Sequence, residues 1–487
     1  MAIRHTDVLV VGGELAGAVT AAVCARAGRR VVVLDDDECD DMVAAGVVVP
    51  PPDDFCPALE SLSRAMAPLE ALGQRQDLKR VLPVADGGFQ VLHPAHRLDV
   101  FLDAERRLRD LRRECGEAAE AVQASLSNRD GSEDAVQALV DHHDAMAVDG
   151  FFATRRVRGA WRDGVRGEHV PTLALPPSQG WLADALHGGL AFLSASSQTP
   201  AVFQQRLLRA LVAGVHVSPL GFRRTLRNQL LEAARQRGTD VIHDEHAAAF
   251  VVDGGRVSEV RLSGRNDALS ARVVVDATLS RDVRDRISPE KYAARLDAVG
   301  GLARPARIRA GVSWVVRRAG LPPGLGARAL LAAEDDQPGG GVALLGCLRA
   351  PLAADTRKPV PALAVVSASV ICDPMQLQAA VERLVTRLER LLPFTRRHVV
   401  AELRTTEDTA RLAPALYAGP DEPMALGGRG TDGGIKHFFR AGRDVAPALG
   451  VEGELWAGHA VAQRAEKFLS RRPLFGGTGG EAAQGLR

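Results

Sequence analysis

The sequence predicts an α/β fold, with a buried parallel sheet at its N-terminus and an interleaved α+β part. Two observations carry that prediction. Asp7–Val11 (DVLVV) and Arg30–Leu34 (RVVVL) are continuous apolar runs, as expected of strands covered on both faces. Between them Leu15–Ala27 is an Ala-rich helical stretch, closed by Gly28. Strand, turn, helix and strand within about 30 residues make a βαβ unit with a right-handed crossover.

Further elements follow in chain order. Asp35–Asp41 (DDDECDD) holds six acids in seven positions and predicts a solvated loop. Leu98–Leu126 reads as one long amphipathic helix with Leu108, Leu111, Cys115, Ala119 and Val122 on its apolar stripe. Its arginine-rich face is expected to be solvated and supported by pairs such as Glu105 with Arg109. Gly221–Arg237 contains a helix with Leu226, Leu230 and Ala233 on one side, stopped at Gly238. Val241–Ile242 and Ala248–Val252 read as strands. Asp253-Gly254-Gly255 signals a hairpin, and Val257–Leu262 is its returning strand. Arg272–Ala277 (RVVVDA) is a third buried strand, and Ala379–Leu392 a helix ended by Pro393. Residues 476–487 are Gly-rich and predict a flexible tail.

Composition narrows the function classes. A chain of 487 residues is too long for one core and implies about three units of 100–200 residues. A formal net charge of +1 gives no reason to expect a nucleic-acid partner or an anionic membrane. The six cysteines form no C-x-x-C pair, which argues against a zinc ribbon or a disulfide framework and predicts a reducing, cytoplasmic setting. No apolar run approaches the roughly 20 residues of a transmembrane helix.

Gly12-Gly13-Glu14-Leu15-Ala16-Gly17 stands at the turn of the βαβ unit. In a dinucleotide fold the first glycine makes the tight turn and the third lets helix pack on strand. The middle one admits the pyrophosphate to the helix N-terminus. Gly12 and Gly17 hold the first and third positions, and Glu14 the middle one. A carboxylate about 4 Å from a phosphate costs on the order of 4 kcal/mol near a surface. The helix N-terminus returns only about 0.3–1 kcal/mol to a negative charge. Glu14 therefore either repels the phosphate or stands in its place. Asp35, ending the second strand, is where an acid would bind ribose hydroxyls, or else it merely begins the acidic loop.

The segment DVLVVGGELAGAVTAAVCARAGRRVVVLD resembles the N-terminus of phytoene desaturases and related flavin amine oxidases. Leu220–Ala277 is similar to that superfamily's middle segment, and AGRDVAPALGVEGELWAGHA to the strand and helix that close over the flavin. The resemblance implies a Rossmann-like FAD/NAD(P)-binding domain and FAD as cofactor, with Gly453, Ala457 and Gly458 in a turn whose backbone faces it. It also implies a discontinuous FAD-binding-type domain from 1–95, 215–290 and 425–475, with a substrate-type domain from 96–214 and 291–424. Three departures stand against retained FAD: Glu14, the DDDECDD run where the superfamily has Gly-Gly-Arg, and His459 in place of an acid.

Two functions follow from the resemblance. One is a cofactor-free binding or scaffold protein, as in the flavin-free Rab escort and GDP-dissociation-inhibitor family. The other is an active FAD-dependent oxidoreductase that dehydrogenates or isomerises a polyene or an amine. The expected partner is an apolar small molecule, in a cavity lined by Leu, Val, Phe and Ala, or a protein. No catalytic side chain is assigned and no metal is expected. Asp141-His142-His143-Asp144 reads as loop, Trp161, Trp181 and Trp456 as packing, and Phe438-Phe439 as core or channel lining.

Overall fold

The structure is a computed structural model that describes residues 3–35, 42–50, 69–70, 72–73, 88–127, 155, 175–196, 204, 207–208, 211–212, 221–264, 267–278, 281–298, 305–333, 341–406, 415–417 and 430–470. The chain opens with β1 (Ile3–Val11), α1 (Leu15–Arg26), β2 (Val31–Asp35) and the hairpin β3 (Met42–Ala44) and β4 (Val47–Val49). A second hairpin, β5 (Phe89–Leu92) and β6 (Arg97–Val100), leads to α2 (Ala104–Cys115), α3 (Ala119–Ser127) and α4 (Gly180–Leu190). Then come α5 (Phe222–Arg235), β7 (Asp240–His243), β8 (Ala247–Asp253), β9 (Arg256–Leu262) and β10 (Ala268–Asp276). The short β11 (Ile287–Ser288) and α6 (Ala293–Ala298) precede β12 (Pro305–Arg317), β13 (Arg328–Leu331), β14 (Ala343–Arg349) and β15 (Leu363–Cys372). The chain closes with α7 (Leu377–Leu391), β16 (Val399–Arg404), β17 (Ala415–Tyr417), β18 (Phe438–Arg440) and α8 (Gly450–Leu469).

The first sheet runs β11-β8-β9-β10-β1-β2-β7, with β18 also beside β10. β1 lies parallel between β10 and β2, with Val8 opposite both Val273 and Val31. Continuous Val and Leu runs suit strands covered on both sides, and here both sides are covered. Val8, Val10, Val31 and Val33 pack under α1, α5 and α8, while Leu9, Val11, Val32 and Leu34 face the core beneath β8 and β9. Gly254 and Gly255, both at positive φ, make the expected β8–β9 turn. Phe438 meets Phe250 edge-on at 5.8 Å and is fully buried, which settles it as core.

Helix α1 is uniformly small on its inner side, and α8 crosses it closely. A Cβ on Gly458 would fall inside van der Waals contact with the Ala16 carbonyl and 3.0 Å from Val19 Cβ. Thr20 Oγ1 donates to Ala16 O at 2.8 Å and to Gly458 O at 3.0 Å, tying the two helices through backbone.

The second sheet runs β16-β12-β15-β14-β13-β5-β6, with β17 also beside β12. One face packs on α7, where Val312, Trp314 and Val316 meet Leu384 and Leu388. The other face carries two apolar patches. Val315 and Val365 lie under Val47 and Val49 of the β3–β4 hairpin. Leu330 and Leu344 lie with Leu186 and Leu190 of α4.

Two expectations are corrected. Leu98–Leu126 is not one helix: Leu98 belongs to β6, α2 begins only after Asp103 caps it, and Gly116 at φ 54 separates α2 from α3. The apolar stripe survives the break, with Leu111, Cys115, Ala119 and Val122 in one core, and the ion pairs of the polar face include Arg112 with Glu120 at 2.8 Å and Arg113 with Glu114 at 2.9 Å. The boundary set at 95 is also displaced. β5 pairs with β6 and β13 in the second sheet, because a hairpin at 89–100 cannot be divided between sheets. The Gly-rich tail at 476–487, the acidic run beyond Asp35, Trp161 and the Asp141–Asp144 segment lie outside the described residues.

The Gly458 contact yields a test of packing. Gly458→Val is expected to destabilise the protein by about 1–3 kcal/mol through overpacking against the Ala16 carbonyl. Urea unfolding should show that loss whether or not FAD is added.

Candidate functional site

The carboxyl ends of β1, β2, β10 and β18 come together on one edge of the first sheet, where open α/β sheets hold ligands. Gly12 takes φ +96, and a Cβ there would sit 2.7 Å from the carbonyl of Ala277 and the amide of Thr278. Only glycine allows β1 to turn this close to β10. A Cβ on Gly17 would overlap the Gly12 carbonyl and lie 3.0 Å from Ala277 Cβ, so the third glycine seats α1 on the strand. Both therefore have the structural roles the spacing predicts.

Glu14 is the N-cap residue of α1 by backbone position, yet its side chain makes no capping hydrogen bond to the first-turn amides. The reading in which its carboxylate replaces the phosphate on those amides is therefore corrected. Helix α1 has no acidic residue in its first turn either.

Asp35 is 2% exposed and faces inward. Its Oδ1 accepts a short hydrogen bond from Arg227 Nη2, and the same guanidinium donates through Nε to Gly13 O at 2.8 Å. Asp35 Oδ2 accepts no hydrogen bond, with His243 Nδ1 3.5 Å away. Asp35 and His243 are cross-strand partners in the parallel β2–β7 pair. The carboxylate lies so near Gly13 that a Cβ there would overlap Oδ1 and fall 3.1 Å from Arg227 Nη2. Arg227 thus bridges the glycine turn to the end of β2. It was not legible as a site residue, since it follows Leu226 on α5 and reads as one more helical arginine.

Asp276, at the end of β10, is buried and accepts from Thr278 N at 3.1 Å and Thr278 Oγ1 at 2.7 Å. Burial pushes its carboxyl up to about 6, against the opposing pull of those bonds and of Arg440. Arg440, ending β18, pairs with Asp444 four residues on.

Gly453, Gly458 and His459 do not form a turn. All three lie inside α8, where Gly453 packs against the Ala446 carbonyl, Gly458 against α1, and His459 lies 3.5 Å from Gln463. The spacing Gly-x-x-Gly-x-x-x-x-Gly at 450–458 is helix packing. The residue at the start of α8 is Gly450, at φ +54, with its would-be Cβ overlapping the Leu193 carbonyl. Glu454, 1% exposed, is paired with Arg223 of α5 at 2.6 Å.

These contacts decide how FAD would fit. Gly12 and Gly17 suit a diphosphate turn. Asp35 Oδ1, by contrast, is engaged by Arg227 and its Oδ2 is buried beside His243, while Glu14 stands where the dinucleotide pattern has its middle glycine. The adenylate half of FAD is not matched by the residues as they stand. Among the described residues no group of three His, Cys, Asp or Glu is placed to hold a metal ion, and no helix is long and apolar enough to cross a membrane.

No protein-family profile matches the sequence, and no curated protein matches it. Solved structures do share the fold. An oxidoreductase from Methanosarcina mazei is similar at 14% identity over 94% of this chain and 100% of its own, with a TM-score of 0.54. A protein of Pyrococcus furiosus is similar at 12% identity over 95% and 98%, with a TM-score of 0.54. Putrescine oxidase, solved with putrescine, is similar at 13% identity over 96% and 100%, with a TM-score of 0.52. The chain therefore shares the two-part α/β fold of these structures, with a Rossmann-like parallel sheet as its first part.

The buried Asp276 makes stability depend on pH with a defined sign. Its folded pKa is raised, so the folded state is favoured below the unfolded value of 3.8 and loses stability as pH rises through about 6. Asp276→Asn abolishes that loss, keeping an acceptor for Thr278. Its stability relative to the unmodified protein is expected to improve by up to about 3 kcal/mol between roughly pH 4 and pH 7. Urea midpoints at the two pH values check this, and an equal difference at both would contradict it.

Proposed function

We propose that this chain is a non-catalytic binding or scaffold protein, a pseudoenzyme on the FAD-dependent oxidoreductase fold with a closed cofactor site. The Arg227–Asp35 pair carries the reading. A ribose taking Asp35 Oδ1 must draw it away from a guanidinium 9% exposed, and withdrawing one partner of a buried pair costs about 3–5 kcal/mol. Glu14 adds charge repulsion at the diphosphate. Neither feature disturbs the sheet, so the fold persists without the cofactor's binding energy. The four described cysteines are free and buried, which supports a reducing, cytoplasmic location. The alternative, an active FAD-dependent oxidoreductase on a polyene or amine, is favoured by the retained glycines at 12 and 17.

Purified protein is expected to lack flavin absorption, and added FAD to leave its melting temperature unchanged. Glu14→Gly should recover weak FAD affinity, and Glu14→Gly with Arg227→Ala a stronger one. Both substitutions lower the stability of the free protein, the second more, because it strands a buried carboxylate. Stoichiometric FAD in the unmodified protein would overturn the reading and restore the oxidoreductase.

A further inference from the structure

Three exposed cations, Arg256, Arg272 and Lys436, gather with the half-buried His437 on the first sheet, away from the glycine turn. Lys436 and His437 immediately precede β18, with Ile435 and Phe438 buried on either side of them. Two backbone bonds fix the pair. Lys436 N donates to Gly255 O at 2.9 Å, and His437 O accepts from Val274 N at 3.0 Å. Lys436 is also the bridge partner of Arg256, which follows the two glycines of the β8–β9 turn. The His437 ring stacks on Phe468 of α8 with centroids 3.5 Å apart, and the Arg272 guanidinium lies 5.9 Å from the same Phe468 centroid. Arg272 stands four residues before Asp276, about 13 Å back along β10 from the edge that carries Gly12.

Packing alone accounts for little of this arrangement. His437 holds φ 61, a backbone state that glycine takes freely and a side-chain-bearing residue takes at a cost. Burial, with Lys436, Arg256 and Arg272 beside it, holds the imidazole below the usual histidine range. The charges acting on the ring from the hairpin, from β10 and from its own segment are thus all positive. Among the described residues, Arg256 and Lys436 make no side-chain ion pair. Arg272 reaches only Asp7, at 3.9 Å, and Asp7 is shared with the amide and guanidinium of Arg30. The carbonyl end of α8 draws positive charge within its last turn. That accounts for Arg272 over Phe468 but not for the pair at the hairpin turn.

We propose that this cluster binds the phosphoryl group of a small soluble phosphate ester. Arg256 and Lys436 supply charge from the hairpin side and Arg272 from β10, with His437 adjoining both. A phosphate monoester brings nearly two negative charges and three strong acceptor oxygens, which suits an ammonium, two guanidinia and an imidazole N–H together. A carboxylate has one charge and two oxygens, and leaves the cluster under-neutralised. A bound dianion also favours the charged form of the ring, so His437 takes up a proton from solvent as phosphate binds. The site lies outside the glycine turn and stands whether or not the chain carries flavin.

The test uses the full chain with glycerol phosphate, inorganic phosphate and chloride at matched ionic strength. Histidine side-chain NMR follows the rings, with His437 assigned by its loss in His437→Asn, since asparagine also tolerates positive φ. Both phosphates are expected to raise the His437 midpoint toward the ordinary value of about 6.5, and chloride not. Arg256→Gln combined with Lys436→Gln should weaken phosphate binding by at least about fivefold in calorimetry, with the urea midpoint little changed. An unmoved His437, an equal shift with chloride, or undiminished binding in the double variant would each overturn the proposal. So would binding to vesicles containing phosphatidate with no response to glycerol phosphate, which would make the source a lipid headgroup.

Discussion

The parallel pairing of Ile3–Val11 with Ala268–Asp276 is the constraint on which the remaining architecture rests. It joins the first strand to one formed more than half the chain later, and α1, α5 and α8 pack over the strands it brings together. Its carboxyl end is where backbone approaches backbone, Gly12 against the Ala277–Thr278 peptide. A side chain at Gly12 would part those strands and displace Gly13, Asp35 and Arg227 with them. The site depends on a backbone distance before it depends on any charge.

Much of this was legible because it is written in periods. The buried runs DVLVV, RVVVL and RVVVDA, the Asp-Gly-Gly turn and the helix ending at Pro393 are local patterns, and each formed where the pattern placed it. Asp35 was also legible as the residue ending β2, but its partner was not. Arg227 lies 192 residues away, and only the fold sets it against Gly13. The helix at Leu98–Leu126 misled because its stripe keeps helical phase across Gly116, so period alone cannot detect the break. Gly453 and Gly458 misled for the opposite reason: glycine serves a ligand turn and a close helix crossing equally well, and sequence spacing does not separate the two.

Charge placement gives the site its character. Buried ionic groups persist when each is answered: Asp35 by Arg227, Glu454 by Arg223, Arg440 by Asp444. Two of these pairs involve α5, which packs against α1 and so carries Arg227 to the end of β2 and Arg223 to α8. The helix that covers the parallel sheet thus also sets the electrostatics of its edge. A change in how α5 seats would alter both pairs together.

The order in which the chain visits its two sheets has a consequence for dissection. Residues 3–35 build the first sheet, 89–100 the second, 240–288 the first, 305–417 the second, and 438–440 the first again. Meanwhile Val47 and Val49, from the hairpin that follows β2, are committed to the second sheet's core. No single cut in the polypeptide therefore releases a fragment with one complete sheet. Half-length pieces would each expose unpaired strand edges, and such edges invite aggregation. Recombination or truncation in this architecture must exchange matched segments rather than halves, which makes the intact chain the smallest inheritable unit of the fold.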